Sequence, residues 1–268
     1  GGRLDATNIV QPVAAAITSI DFDHQAQLGS TLESIAFEKA GVIKRGIPVV
    51  CGNLPAEAER VIRRVCEEQS ARFVRVSECG TGVALSRAAR LALPGEHQRA
   101  NAAVAVCLMR QLDALGIRIE DTAVDAGLRD VQWPGRLELL EYHGTEFLLD
   151  AAHNPAGARA LAGYLREAGW TGSALVFGAM KDKDVAAMLA ELAPVSEAIV
   201  CTTAASPRAL PAAALADVAR TVPGASWSVS AVPDPADAAR AAAQVHRRVV
   251  IAGSIFLIGP LRGILRAP

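Results

Sequence analysis

The polar residues that could do chemistry cluster where apolar runs end. Asp150 and His153 close such a run in D-A-A-H-N-P (150–155), and a carboxylate and an imidazole at a strand end can meet a ribose or a phosphate. Asn154 and Pro155 have a plainer use, as a helix N-cap and first-turn proline. Asp23-His24 follows a second run. His24 reads equally well as a metal ligand or as a loop histidine bonded to a backbone carbonyl. Lys39, in F-E-K-A-G, either extends its ammonium to water or, where partly buried, loses its charge and takes up carbon dioxide as a carbamate, an anionic metal ligand. Gln98 and Asn101 are one helical turn apart, placed to cap a helix or to reach a purine edge. The charged loop Lys181-Asp182-Lys183-Asp184 is a solvated loop or one wall of the pocket at Asp150.

Two phosphate-binding signatures are missing. The four lysines (39, 44, 181 and 183) follow Glu, Ile, Met and Asp, so the chain holds no G-K-[ST] P-loop. Nor does it hold a G-x-G-x-x-G dinucleotide fingerprint.

The elements that must position these groups alternate. Strands are expected at Val13–Ile20, Ile47–Cys51 and Phe73–Val76, with helices at Leu32–Ala40, Ala56–Gln69, His97–Leu115 and Ile119–Asp130. Gly80–Leu93 is irregular, with room for a hairpin. Trp133-Pro134-Gly135-Arg136 is a turn-rich break, and a domain boundary is placed near residue 133. Beyond it a hairpin, Leu137–Tyr142 and Glu146–Asp150, precedes a second series. Its helices are expected at Pro155–Glu167, Val185–Leu192, Pro211–Arg220 and Pro235–Ala243. Its strands are expected at Ala174–Phe177, Ala198–Cys201, Ser226–Val229 and Val249–Ala252. This alternation predicts an α/β fold.

Composition narrows the options. The 268 residues, 51% hydrophobic, can bury a sizeable core. A formal net charge of −1 excludes a general nucleic-acid binder. Five cysteines with no C-x-x-C pair predict neither a metal knuckle nor a disulfide framework, and a reducing, cytoplasmic setting. The most apolar stretch, Val249–Ile264, is too short and too interrupted by Gly, Pro and Arg to span a membrane.

Taken in order, G-G-R-L-D-A-T-N (1–8), D-H (23–24), E-K-A-G (38–41), G-x-H-Q-x-x-N (95–101), P-G-R (134–136), D-x-A-H-N-P (150–155), G-x-x-x-D-K-D (178–184) and G-S-x-F-L-x-G (253–259) resemble the folylpolyglutamate synthase/dihydrofolate synthase family, which is similar to the Mur ligases. Each motif is weak alone, but the ordered set is specific and spans essentially the whole chain. The resemblance implies that residues 1–133 are the C-terminal part of a Mur-ligase-type central P-loop ATPase domain, and 134–268 a C-terminal Rossmann-like ligase domain. It implies ATP held between the two, contacted by Asn101, Arg136 and Asp150 with His153 beside them. It makes Leu4, Asp5 and Ala6 the pterin-binding segment, His24 a magnesium ligand, and Lys39 a carbamylated lysine that ligates a second metal; His24 and Lys39 are the implied catalytic pair.

The implied reaction joins L-glutamate to dihydropteroate or folate through an acyl phosphate, with ATP as cosubstrate and Mg2+ as cofactor, in a cytoplasmic monomer that binds neither nucleic acid nor membrane. The alternative is a non-catalytic nucleotide- or folate-binding module of the same family. The family's G-T-N-G-K-G-S segment and the acidic metal ligand expected before Gly1 are not in this chain. The chain is therefore expected to be a truncated form without ligase activity. Turnover of ATP by the purified chain with magnesium, dihydropteroate and glutamate would contradict that expectation.

Overall fold

The structure, a computed structural model, describes residues 3–23, 28–80 and 91–267. It divides into two compact units, Gly1–Gln132 and Trp133–Pro268.

In the first unit, β1 (Ala15–Ile17), β2 (Pro48–Cys51) and β3 (Arg72–Arg75) form a parallel sheet in that order. Its centre, β2, is buried along its whole length, as a strand covered on both faces must be. Helices α1 (Leu32–Lys39) and α2 (Ala56–Glu68) cover one face around Ile35, Val49 and Ile62. Helix α3 (Glu96–Ala114) covers the other through Val104 and Cys107. Helix α4 (Asp121–Asp130) follows. Thr31 starts α1 with a reciprocal capping box to Ser34. Gly52 lets the chain turn tightly after β2: a Cβ there would lie 2.2 Å from the Thr18 carbonyl oxygen.

Cys79 and Cys107 are joined by a disulfide, their Cα atoms 5.7 Å apart, which corrects the expectation of no disulfide. The 3-10 turn Val76–Cys79 packs on α3, a proximity that spacing along the chain does not reveal. Of the irregular Gly80–Leu93 segment, residues 81–90 lie outside the described residues.

The second unit is a six-stranded sheet. Its strands are β4 (Glu138–Tyr142), β5 (Thr145–Leu149), β6 (Ser173–Phe177), β7 (Ser196–Cys201), β8 (Ser228–Ala231) and β9 (Arg248–Ala252), in the order β4-β5-β9-β6-β7-β8. Only the β4–β5 hairpin is antiparallel. Helices α5 (Pro155–Glu167), α6 (Val185–Leu192) and α7 (Ala212–Arg220) pack on one face through Leu161, Leu189 and Leu215. Helices α8 (Pro235–Val245) and α9 (Ile255–Leu265) pack on the other through Ala238, Leu257 and Leu261. Alternate residues of each central strand feed the two cores: Leu175 and Phe177 enter the first, Ala174 and Val176 the second.

Three elements depart from the sequence reading. The strand expected at Val13–Ile20 is confined to Ala15–Ile17. The strand expected at Ser226–Val229 lies two residues later, because Trp227 is buried instead and its Nε1–H donates to the Ala219 carbonyl at 3.2 Å. The stretch Val249–Ile264 divides at Gly253 into β9 and a terminal helix, α9, that its Gly and Pro content concealed. Pro260 cannot donate to the carbonyl of Phe256 one turn back. The Ala205 N–H does so instead, at 3.3 Å.

Gly253 has φ +108°, and a Cβ there would lie 2.6 Å from the Gly178 carbonyl oxygen and 2.8 Å from Phe177 Cε2. Gly253→Ala is expected to destabilise the second unit by about 2–3 kcal/mol, read from the urea midpoint. An unchanged midpoint would show that the β9–β6 seam tolerates the side chain.

Candidate active site

In the second unit the candidate residues Asp150 and His153 follow the carboxyl end of β5, which is neighboured in the sheet by β9 and then β6. The chain runs from β5 to β6 across the place later filled by β9, so β9 enters between strands already laid down. Open α/β sheets bind ligands outside the strand ends at such a reversal. The strand ends are bonded to one another. The Asp150 N–H donates to Ile251 O at 3.0 Å, that of Gly253 to Ala152 O at 2.9 Å, and that of Gly178 to Ala252 O at 3.3 Å.

Asp150 is the centre of this mouth. It is 5% exposed, and each carboxylate oxygen accepts a backbone N–H: Oδ2 from Leu137 at 3.0 Å, Oδ1 from Ala152 at 2.9 Å. Burial pushes its pKa up from the ordinary carboxylate value; the two N–H donors and the nearby charges of Arg136 and His153 oppose that push without cancelling it. Arg136 and His153 thus share the electrostatic surroundings of Asp150. His153 Nδ1 donates to Ala151 O at 2.9 Å. Asn154 is a helix cap: its Oδ1 accepts from Gly157 N at 2.7 Å.

Arg136, half-buried, sits between two residues in left-handed backbone, Gly135 (φ +71°) and Leu137 (φ +49°). For leucine that conformation costs about 1–3 kcal/mol and must be imposed by its surroundings. The Ala151 N–H donates to Gly135 O at 2.8 Å, and Asp150 takes the Leu137 N–H. The Gly135 N–H donates to Glu138 Oε2 at 2.8 Å, and Arg262 Nε donates to the same oxygen at 2.7 Å. The sequence reading missed Glu138 and Arg262; its one trace was an arginine breaking the apolar stretch of the last helix.

Lys181 and Asp184 belong to the loop after β6. The Lys181 N–H donates to Arg208 O at 3.0 Å, and Asp184 caps α6 by accepting from Ala187 N at 3.0 Å. Those bonds fit a structural loop and bring neither side chain to Asp150.

In the first unit, residues 3–10 are pinned onto the end of α1. The Arg3 N–H donates to Glu38 O at 2.7 Å, and its guanidinium pairs with the Glu38 carboxylate at 2.9 Å. Lys44 Nζ donates to Asn8 O at 3.0 Å and to Asn8 Oδ1 at 2.8 Å. Gly41 is required for this approach, since a Cβ there would lie 2.3 Å from Arg3 Cα. Leu4, Asp5 and Ala6 are exposed. Asp5 caps the turn Ala6–Ile9, and its bonds from the Thr7 hydroxyl and N–H hold its carboxyl below the ordinary value. Lys39, half-buried, is the last residue of α1. Asn101 is exposed on α3, where its Nδ2 donates to Gln98 Oε1 at 3.2 Å. His24 lies outside the described residues. Among the described residues no three His, Cys, Asp or Glu side chains gather as a metal site. No described helix is long and apolar enough to cross a membrane.

Residues 135–255 match the family model of the Mur ligase glutamate ligase domain. The chain is 35% identical to the dihydrofolate synthase/folylpolyglutamate synthase of Bacillus subtilis (strain 168), over 99% of this chain and 66% of that protein. The solved structure of Mycobacterium tuberculosis folylpolyglutamate synthase complexed with ADP and AMPPCP superposes with a TM-score of 0.86 at 30% identity, over 100% of this chain and 67% of that one. The chain belongs to the folylpolyglutamate synthase/dihydrofolate synthase family. Another solved member, a bifunctional folylpolyglutamate synthase/dihydrofolate synthase with Mn, AMPPNP and L-glutamate bound, gives a TM-score of 0.81 at 31% identity, over 100% of this chain and 65% of that one. This family member therefore spans about two thirds of the length of these relatives.

Glu138 carries a pH signature of its own. Burial works to raise its pKa, but the hydrogen bond from Arg262, the Gly135 N–H, and the charges of Arg262 and Arg266 outweigh it and hold the carboxyl below its ordinary 4.5. A depressed folded-state pKa gives stability that is complete above the unfolded value and lost as pH falls through the folded one. Glu138→Gln is therefore expected to cost about 1–2 kcal/mol at pH 7, and less at each step as pH drops below about 4.5. Urea unfolding across that range tests it. A penalty that does not change with pH would exclude the carboxylate as its source.

Proposed function

We propose that this chain is part of an ATP-dependent ligase that joins L-glutamate to dihydropteroate or to folate, extending the γ-glutamyl tail in the second case. The observation that carries the reading is the turn at Arg136, held by the buried Asp150 within the stretch that matches the glutamate ligase domain. The relatives crystallised with ADP and AMPPCP, and with Mn, AMPPNP and L-glutamate, supply the ligand classes.

The substrate carboxylate attacks the γ-phosphorus of ATP and ADP leaves, giving an acyl phosphate. The glutamate amine then attacks the acyl carbon, inorganic phosphate departs, and the amine proton passes to solvent or to a base. Each step gathers negative charge on phosphoryl oxygens, and fixed cations that meet that charge are the main catalytic requirement. Arg136 presents a planar fork able to bind two phosphate oxygens at once. Asp150 keeps the Arg136 backbone in place, and His153 presents its imidazole to the nucleotide. Leu4, Asp5 and Ala6 form the pterin wall, and Asn101 turns an amide toward the nucleotide.

His24 and carbamylated Lys39 are the residues that would hold magnesium, which when bound supplies charge neutralisation. In domain terms, residues 1–133 are the C-terminal part of the central ATPase domain and 134–268 the ligase domain. The protein is a cytoplasmic monomer that binds neither nucleic acid nor membrane.

Isothermal titration of the chain with Mg-ATP tests this reading. Wild type is expected to bind. Arg136→Ala should weaken binding at least tenfold, and Arg136→Lys should recover only part of the loss, because a point charge cannot replace the fork. No binding by wild type at millimolar ATP, or full affinity in Arg136→Ala, would overturn it.

A further inference from the structure

We infer that Glu138 and Arg262 are positioning residues that hold the Arg136 turn in its binding geometry. This rests on the proposed role of Arg136 toward the nucleotide.

The turn has three backbone anchors. Asp150 accepts the Leu137 N–H and Ala151 donates to the Gly135 carbonyl, so both of these come from the loop after β5. The third anchor is the Gly135 N–H, and its acceptor is Glu138 Oε2 at 2.8 Å. That carboxylate is aimed by Arg262, whose Nε donates at 2.7 Å to Oε2 and at 3.0 Å to Oε1 from 124 residues away on α9. Both side chains are mostly shielded, 18% exposed for Glu138 and 26% for Arg262. Water therefore competes for the pair less than at an open surface site.

The anchor matters because of the backbone it holds. Leu137 is in a left-handed conformation that leucine leaves unless its neighbours forbid it. Gly135 packs close to α9: a Cβ there would lie 3.1 Å from Ile258 Cγ2, on the same helix as Arg262. Helix α9 is itself tied to the loop after β5, since Gly253 just before it donates to Ala152 O at 2.9 Å. Two segments remote in sequence, the loop after β5 and α9, thus fix one short turn. With Glu138 unable to accept, the Gly135–Leu137 backbone can relax and carry the Arg136 guanidinium away from its mark.

The test separates positioning from simple stabilisation. Amide hydrogen exchange and Mg-ATP affinity are measured on the full chain as wild type, Glu138→Ala, Arg262→Gln, and the charge-swapped pair Glu138→Arg/Arg262→Glu. An arginine at 138 can restore an ion pair, but it cannot accept the Gly135 N–H. Positioning predicts at least tenfold faster exchange within residues 133–137 in all three variants, with unchanged exchange in β6 and α5. It predicts that the swapped pair recovers thermal stability but neither turn protection nor ATP affinity.

In an Arg136→Ala background, Glu138→Ala should produce no further loss of ATP affinity, because the two act as a unit. Recovery of turn protection in the swapped pair, unchanged exchange in Glu138→Ala, or a uniform rise across the second unit would overturn the inference. If wild type binds no Mg-ATP, the nucleotide reading fails, and the exchange results alone decide whether Glu138 and Arg262 hold the turn.

Discussion

The site depends on one buried carboxylate. Asp150 gives both oxygens to backbone N–H groups, one on each side of the place where the chain enters and leaves the strand end. Without it, two buried donors would lose their partners, which costs about 1–3 kcal/mol each. The left-handed Leu137 would also lose the bond that enforces it. Burial makes ionisation of this carboxyl less favourable, and the charges of Arg136 and His153 work against that. The group that fixes the turn and the groups proposed to meet phosphate are therefore coupled electrostatically as well as through the backbone.

The sheet supplies the rigidity that makes such coupling useful. β5, β9 and β6 are buried parallel strands whose ends are cross-bonded through Asp150, Gly178 and Gly253. Close backbone approach at Gly253 is possible only without a side chain. Loops on this platform hold polar groups that would be mobile on an exposed turn. The first unit uses the same strategy at Gly41, where a missing Cβ lets residues 3–10 lie against the end of α1 and Lys44 tie down Asn8.

Much of this was legible in the sequence because its causes are local. Apolar runs of strand length, the Thr31 and Asn154 caps, and the Pro-Gly turn before Arg136 each act within a few residues. Asp150 and His153 were read together because both follow one strand end, and Arg136 joined them only through the family resemblance. What was hidden depends on long-range contact. Arg262 shows its role only once α9 lies beside Glu138, and the Cys79–Cys107 pair only once the turn after β3 meets α3. The helix α9 was masked by Pro260, whose missing hydrogen bond is made up by Ala205, a partner no local pattern reveals.

The central claim is that the Asp150-latched turn presents Arg136 to the phosphates of a nucleotide. A crystal structure of the chain with an ATP analogue tests it most directly. The account predicts the Arg136 guanidinium within hydrogen-bonding distance of a phosphate oxygen, with Leu137 still in left-handed backbone and Asp150 still accepting from Leu137 and Ala152. A nucleotide bound with Arg136 turned to solvent, or with the latch opened, would contradict it.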